Sequence, residues 1–271
     1  MYICAYAFNM NGGKSMFNKN EMILDKVRSL SFNDLETRQM LFRLTSLEES
    51  SLSCTAEGEQ ITDAIGALIT TLYRAKQATF SATNSLFSFT LLAEQYGAKV
   101  EYATEDEAMT DRTYDILTVA DGAITLSHTP KGDVRYIYGM ADGEVAKVYE
   151  VGADPATNFS IADGKITVPT GATETKFYVE YEFDNNEAMK LVNKASEFPK
   201  AGYVVIYAYF RDKCNENKIY SGKIICPKAK LNPESIETAL TSTGKHPFEL
   251  TMMKDYCDEN DELFTIIISQ E

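Results

Sequence analysis

The chain has 271 residues, 44% of them hydrophobic, enough to bury a core and to exclude disorder of the whole chain. Its formal charge of -14 argues against a coat for nucleic acid, because such binding depends on Lys and Arg displacing counterions from phosphate. Five cysteines (Cys4, Cys54, Cys214, Cys226, Cys257), odd in number and without a CxxC pair, fit neither a disulfide framework nor a zinc site and point to a reducing compartment.

In chain order, residues 1–20 join a short β-prone run (Tyr2, Ile3, Tyr6, Phe8) to an Asn, Gly and Ser-rich stretch, which reads as an arm or edge strand. The start lacks the basic and long apolar regions of a signal peptide, so export by the general secretory route is not expected, and no apolar run reaches the roughly 20 residues of a membrane helix. Residues 40–56 alternate across Leu52, Cys54 and Ala56 like a half-buried strand. Asp63 to Gly66 is a turn, and LITTLYRA and ATFSAT read as two further strands.

A helix is expected over 84–97, capped by Asn84 or Ser85, with Leu86, Phe89, Ala93 and Tyr96 at helical spacing and Gly97 as a left-handed stop. A second is expected over 186–196, where Ala188, Leu191, Val192 and Ala195 share a face ahead of Pro199. Between them, residues 113–183 read as an inserted small β-sandwich of immunoglobulin-like style. Ala-Asp-Gly recurs there at 120–122, 141–143 and 162–164, and Asp-Gly favours tight hairpins because both central residues of a type I′ turn need positive φ. The segments YVVIYAYFR and KIYSGKIIC follow as strands joined by a CNEN turn at 214–217, then IETAL, FELTMM and a terminal LFTIIIS expected to be buried on both faces. Exposed alone, LFTIIIS would aggregate, so neighbouring strands or subunits must cover it.

Enzyme chemistry is thin. GGKS at 12–15 ends like a phosphate-cradling loop, but the earlier glycine that loop requires is Phe8. His128 and His246 stand apart with no zinc-binding spacing, and Cys214, Cys226 and Cys257 with His246 are too irregular for a metal site. The acidic groups at Glu105, Asp106 and Glu107, and at Asp255, Asp258, Glu259, Asp261 and Glu262, read as solvated loops rather than paired catalytic carboxylates or a calcium loop. A carbohydrate-binding or hydrolytic β-sandwich using surface aromatics such as Tyr136, Tyr138 and Tyr149 with nearby acids is the alternative from another class, although alternating tyrosines on a strand more often pack across strands.

The segment LEESSLSCTAEGEQITDAIGALITTLYRAKQATFSATNSLFSFTLLAEQYG, residues 47–97, resembles the early core of bacteriophage tail tube (major tail) proteins, and GKIICPKAKLNPESIETALTSTGKHPFELTMMKDYCDENDELFTIIIS is similar in style to their closing strands. The resemblance implies a mainly β protein: a tail-tube-type β-sandwich or barrel with one or two short helices, formed by residues 1–112 and 184–271, with 113–183 inserted and facing outward. It implies identical subunits closing into stacked, hexameric rings that form a conduit for phage DNA, which passes without sequence-specific binding past an acidic lumen. Other tail or virion proteins would be partners, a head-decoration, connector or baseplate role being the near alternative. An arm carrying Tyr2, Ile3, Tyr6, Phe8, Met16 and Phe17 would reach neighbouring subunits, and Leu86, Phe89 and Tyr96 would pack at the subunit wall. No catalytic residue, cofactor or metal is expected.

Overall fold

A computed structural model describes residues 21–213, 215–234, 236, 244–256 and 261–270. The strands are β1 (Met22–Asp34), β2 (Met40–Leu44), β3 (Leu47–Thr62) and β4 (Leu68–Asn84), then helix α1 (Phe89–Tyr96), followed by β5 (Val100–Tyr102), β6 (Met109–Thr118), β7 (Ala123–Thr125), β8 (Tyr136–Ala141), β9 (Glu144–Glu150), β10 (Ser160–Ala162), β11 (Lys165–Thr167), β12 (Lys176–Asn185) and β13 (Met189–Leu191). The chain closes with β14 (Ala201–Asp212), β15 (Asn215–Leu231), β16 (His246–Met252) and β17 (Thr265–Gln270). The protein is mainly β, with one helix among the described residues. It divides into two compact units, Met1–Val100 with Leu191–Glu271, and Glu101–Lys190. Strands β6 and β12 pair from Met109↔Asn185 to Thr118↔Lys176, so this pair reaches past the texture change read at 113 and 183.

In the larger unit the strands form one antiparallel sheet in the order β2-β1-β14-β15-β16-β4-β3, with β17 also pairing β15. From Ala78 to Asn84 every second residue of β4 is buried, whereas Ser29–Phe32 of β1 and Val204–Ile206 of β14 are buried consecutively. Phe80 and Ala82 from near one end of the sheet share a core with Phe42 and Leu44 from the other, so the sheet curls around Leu30, Phe32, Val204, Ile206, Leu231, Phe248 and Leu250. Phe32 and Phe42 stack with centroids 5.2 Å apart. Gly222 leaves room for the Phe210 ring, from which a Cβ there would sit 2.2 Å away.

Helix α1 covers this core with Leu91. Its cap is Ser88, whose Oγ accepts from Leu91 N at 3.2 Å, rather than Asn84 or Ser85, which belong to the end of β4 and the turn after it. Gly97 ends the helix at φ 69°, as its position suggests. The helix expected over 186–196 does not form. Ala188 O accepts from Ala103 N at 2.8 Å, and Met189–Leu191 pairs with β5, so neighbouring strand backbone satisfies groups that a helix would have bonded internally.

LITTLYRA and ATFSAT are one strand, β4, interrupted by a bulge. Opposite Ala75, at φ 49°, the register shifts between Thr55/Gln77 and Glu57/Arg74, and this break produces the apparent two strands. The turn at Asp63–Gly66 forms as read, with Asp63 Oδ1 accepting from Ile65 N and Ala67 N at 3.0 and 2.7 Å. Strands β14 and β15 already pair at Asp212↔Asn215, so residues 215–217 of the expected turn lie in strand.

The smaller unit places a four-stranded sheet, β6-β12-β8-β9, and a three-stranded sheet, β10-β11-β7, around one core of Ile124, Ile137, Tyr149, Phe159, Ile166, Phe177 and Val179. The three Asp-Gly pairs are the turns the repeat implied: φ is 51° and 73° at Asp121-Gly122, 53° and 86° at Asp142-Gly143, and 48° and 74° at Asp163-Gly164. Each reverses the chain in two residues, as in the Ala141↔Glu144 and Ala162↔Lys165 pairs.

Candidate assembly surfaces

Strands β3 and β4 outrun the sheet that supports them. Their proximal halves pair with the core, where Leu52 is half-buried and Ala78 and Phe80 are buried. Beyond Leu52 the arm leaves the core, and the half-buried pattern expected at Cys54 and Ala56 ends because both residues are exposed. From Ser53 to Gln77 every residue but Thr71 is exposed, with Ile61 and Leu72 the more sheltered of the large apolar side chains at 39% and 40%. At about 3.4 Å per residue, the eight-residue stretch from Thr55 to Thr62 projects roughly 27 Å.

This arm is apolar on both faces. Tyr73, 75% exposed, lies over Gly58 on one face, while Leu72 pairs with Glu59 and Ile61 with Thr70 on the other. At the tip Ile65 is 90% exposed, with Leu68 and Ile69 beside it. The Arg74–Glu59 ion pair, 3.3 Å long and solvent-exposed, adds little to its stability. A two-stranded ribbon is marginal in water at best, and its apolar side chains here have nothing to bury them within the described residues.

A second open surface is β17. Leu263 and Phe264 of LFTIIIS pack against the core, but its remainder forms an edge strand rather than one buried on both faces: β17 pairs only β15 among the described residues, and Ile266 and Ile267, which point to opposite faces, are both about half exposed. The unpaired outer edge and the two isoleucines are what another strand would cover.

The residues singled out from sequence distribute unevenly. Tyr2, Ile3, Tyr6, Phe8, Met16 and Phe17 lie outside the described residues, as do Lys14 and its neighbours and Cys4, Cys214 and Cys257. Of the expected wall residues, Phe89 and Tyr96 are half-buried on α1, whereas Leu86 precedes the helix and is 64% exposed. The arm from Ser53 to Gln77 was missed as an exposed surface, although its continuous strand chemistry and the single turn at Asp63–Gly66 were the signal for a hairpin.

Each histidine stacks on a phenylalanine, His246 in the core and His128 at the surface. His246 is fully buried, its Nε2 2.7 Å from Gln95 Oε1 and its ring stacked on Phe87, and burial holds its pKa below the usual histidine range. His128 stacks on Phe183 at 4.1 Å, and its backbone N donates to Tyr181 Oη. Burial works upward on Asp115, but Ser127 N, Ser127 Oγ and Tyr181 Oη, each donating at 2.8 Å, outweigh it and lower its pKa. These bonds tie the loop after β7 to the sheet. Burial pushes the Cys226 thiol up to about 12. Among the described residues no group of His, Cys, Asp and Glu could hold a metal ion, and no helix is long and apolar enough to cross a membrane.

The acidity is not spread evenly. Residues 101–190 carry 18 acidic and 7 basic side chains, a net -11, while the larger unit carries 22 and 19, a net -3.

A search of curated proteins found no match to the chain. A family model described as the YomU/Tube protein family matches residues 22–266, running from the first described strand into β17 and spanning both units, and the chain belongs to that family.

Proposed function

We propose that the protein is a non-enzymatic subunit that assembles with copies of itself into stacked, hexameric rings, forming the tube of a phage tail through which DNA leaves the virion. The observation that carries this reading is the β3–β4 arm. It is a two-stranded ribbon with isoleucines, leucines and a tyrosine exposed on both faces, which gains stability only when another surface encloses it. A second copy is the occupant that family membership favours, and the open edge of β17 offers further strand pairing between copies. Other virion proteins would meet the ends of the stack. The larger unit carries a net -3, so the acidic lumen that the resemblance implies would need carboxylates of this unit gathered on its inner face.

The test is negative-stain electron microscopy of the full chain over a concentration series, beside the double variant Ile65→Asp, Ile69→Asp. Both side chains are exposed and outside the core, so the fold should persist, and circular dichroism of the variant checks it. Rings or tubes from the natural chain, lost in the variant, are expected. A natural chain that stays monomeric at every concentration, or a variant that assembles equally well, overturns the reading, and fixed-stoichiometry binding to a capsid component without self-assembly would replace it with a decoration or connector role.

A further inference from the structure

The outer face of the four-stranded sheet in the smaller unit carries a row that crosses all four strands: Ile116 on β6 pairs Tyr178 on β12, which pairs Tyr138 on β8, which pairs Val148 on β9. One residue pair along, Tyr114 stacks on Tyr178 with centroids 5.3 Å apart, and Tyr138 meets Tyr178 edge-on at 5.9 Å. Tyr136 continues the same face of β8. Tyr114, Ile116, Tyr136 and Val148 are 46–60% exposed. Beside Tyr136 the face runs into an open depression of about 330 Å³, lined by Asp133, Arg135, Glu150 and Ile161 among others. Of the three tyrosines the sequence offered, Tyr136 and Tyr138 lie on this platform. Tyr149 points into the core and donates to Glu174 at 2.7 Å, while Tyr114 and Tyr178 take its place.

We propose that this face binds an uncharged glycan chain, whose sugar rings stack on Tyr114, Tyr138 and Tyr136, with Tyr178 packed between Tyr114 and Tyr138 as their support, and whose hydroxyls reach the carboxylates and guanidinium of the adjoining depression. Three observations select this occupant. First, area: three strand spacings of about 4.8 Å by four residues of about 3.4 Å give a platform of roughly 200 Å², well below the roughly 800 Å² per partner of a stable protein interface but matched to three or four sugar rings. Second, charge: the unit bears a net -11, so a second copy of the same face and any polyanion are repelled. On the face itself Arg112 Nε holds Glu180 Oε1 at 2.8 Å, while Glu182 and Glu150 on the same face add to the negative field. A neutral ligand meets no penalty from either. Third, chemistry: the rings present both an apolar plane, on which the C–H faces of a sugar stack, and hydroxyls that give and take hydrogen bonds.

The experiment titrates the full-length protein with neutral hexasaccharides (cello-, malto-, manno-, galacto- and chitohexaose) by isothermal calorimetry, with polyphosphate as the charged comparison. The variants Tyr138→Ser and Tyr114→Ser are run in parallel, with circular dichroism checking their fold. Binding of at least one hexasaccharide, weakened tenfold or more in Tyr138→Ser and not matched by polyphosphate, is expected. No binding by any of the five up to millimolar concentration, binding indifferent to both substitutions, or a preference for polyphosphate overturns the proposal. Should the natural chain instead pair through this face, its sedimentation would change in Tyr138→Ser, which also overturns it. Tube formation scored on the same variants stays unchanged, so failure here is separable from failure of the assembly reading.

Discussion

Replacing Gly97 by Ala separates a backbone that merely needs glycine's freedom from one that also lacks the space for a side chain. Gly97 has φ 69° at the end of α1, and a Cβ built there would lie 2.2 Å from the carbonyl oxygen and 2.3 Å from the carbonyl carbon of Phe198. The left-handed conformation alone costs an alanine about 1 kcal/mol. The contact is with backbone, which no rotamer change relieves, so the segment at Phe198 must move, adding about 1–3 kcal/mol by analogy with overpacked cores. The sum is about 2–4 kcal/mol. Gly66 is the control: its φ of 87° imposes the same conformational cost, but nothing lies within 4 Å of the added atom, so Gly66→Ala loses about 1 kcal/mol or less. With no tryptophan in the chain, urea unfolding followed by far-ultraviolet circular dichroism is the assay. Gly97→Ala should unfold at clearly lower urea than Gly66→Ala. Coincident midpoints would refute the reasoning, because they would mean that the Phe198 backbone yields at no cost.

Other expectations concern the ionisable groups. The unfolded chain takes a proton on His246 that the folded chain refuses, so stability should fall as pH drops through the ordinary histidine value of about 6.5, and the slope should flatten in His246→Gln. Glu94 acts with the opposite sign, since burial raises its pKa and the folded state takes its proton first; the natural chain and the variant must therefore be compared slope against slope, and identical slopes would discard the assignment. Burial and the hydrogen bond to Glu174 push the Tyr149 phenol up to about 12, and Glu174→Gln should bring its ionisation, followed by ultraviolet difference absorbance, to lower pH. Cys54 is exposed whereas Cys226 is buried and held protonated, so iodoacetamide at pH 8 should label the peptide containing Cys54 in the folded protein and leave that of Cys226 untouched until urea is added. Rapid labelling of Cys226 in the native state would contradict the packing around β15.

Much of the architecture is local chemistry and is legible along the chain. The three Asp-Gly turns follow from the need for two consecutive positive φ values, Gly97 from the left-handed cap, and the strand content from aromatic and β-branched periodicity. The family resemblance also rests on such local order, the strand, turn and helix sequence of residues 47–97. What the periodicity of 186–196 could not reveal is that β5 waits to pair with Met189–Leu191; a tertiary partner overrides a weak helical preference. Apolar character alone likewise does not say whether a strand is central or at an edge, so LFTIIIS reads as buried although β17 has β15 as its single described neighbour. The same holds for the tyrosines. Alternation puts Tyr136 and Tyr138 on one face, but only the pairing of β8 with β12 and of β12 with β6 brings in Tyr178 and Tyr114. The sequence by itself determined a β protein with tight hairpins and a tube-like core; the tertiary structure decided which apolar surfaces are core and which are left open, because burial depends on strand neighbours more than a hundred residues away, as where β1 meets β14 and β4 meets β16.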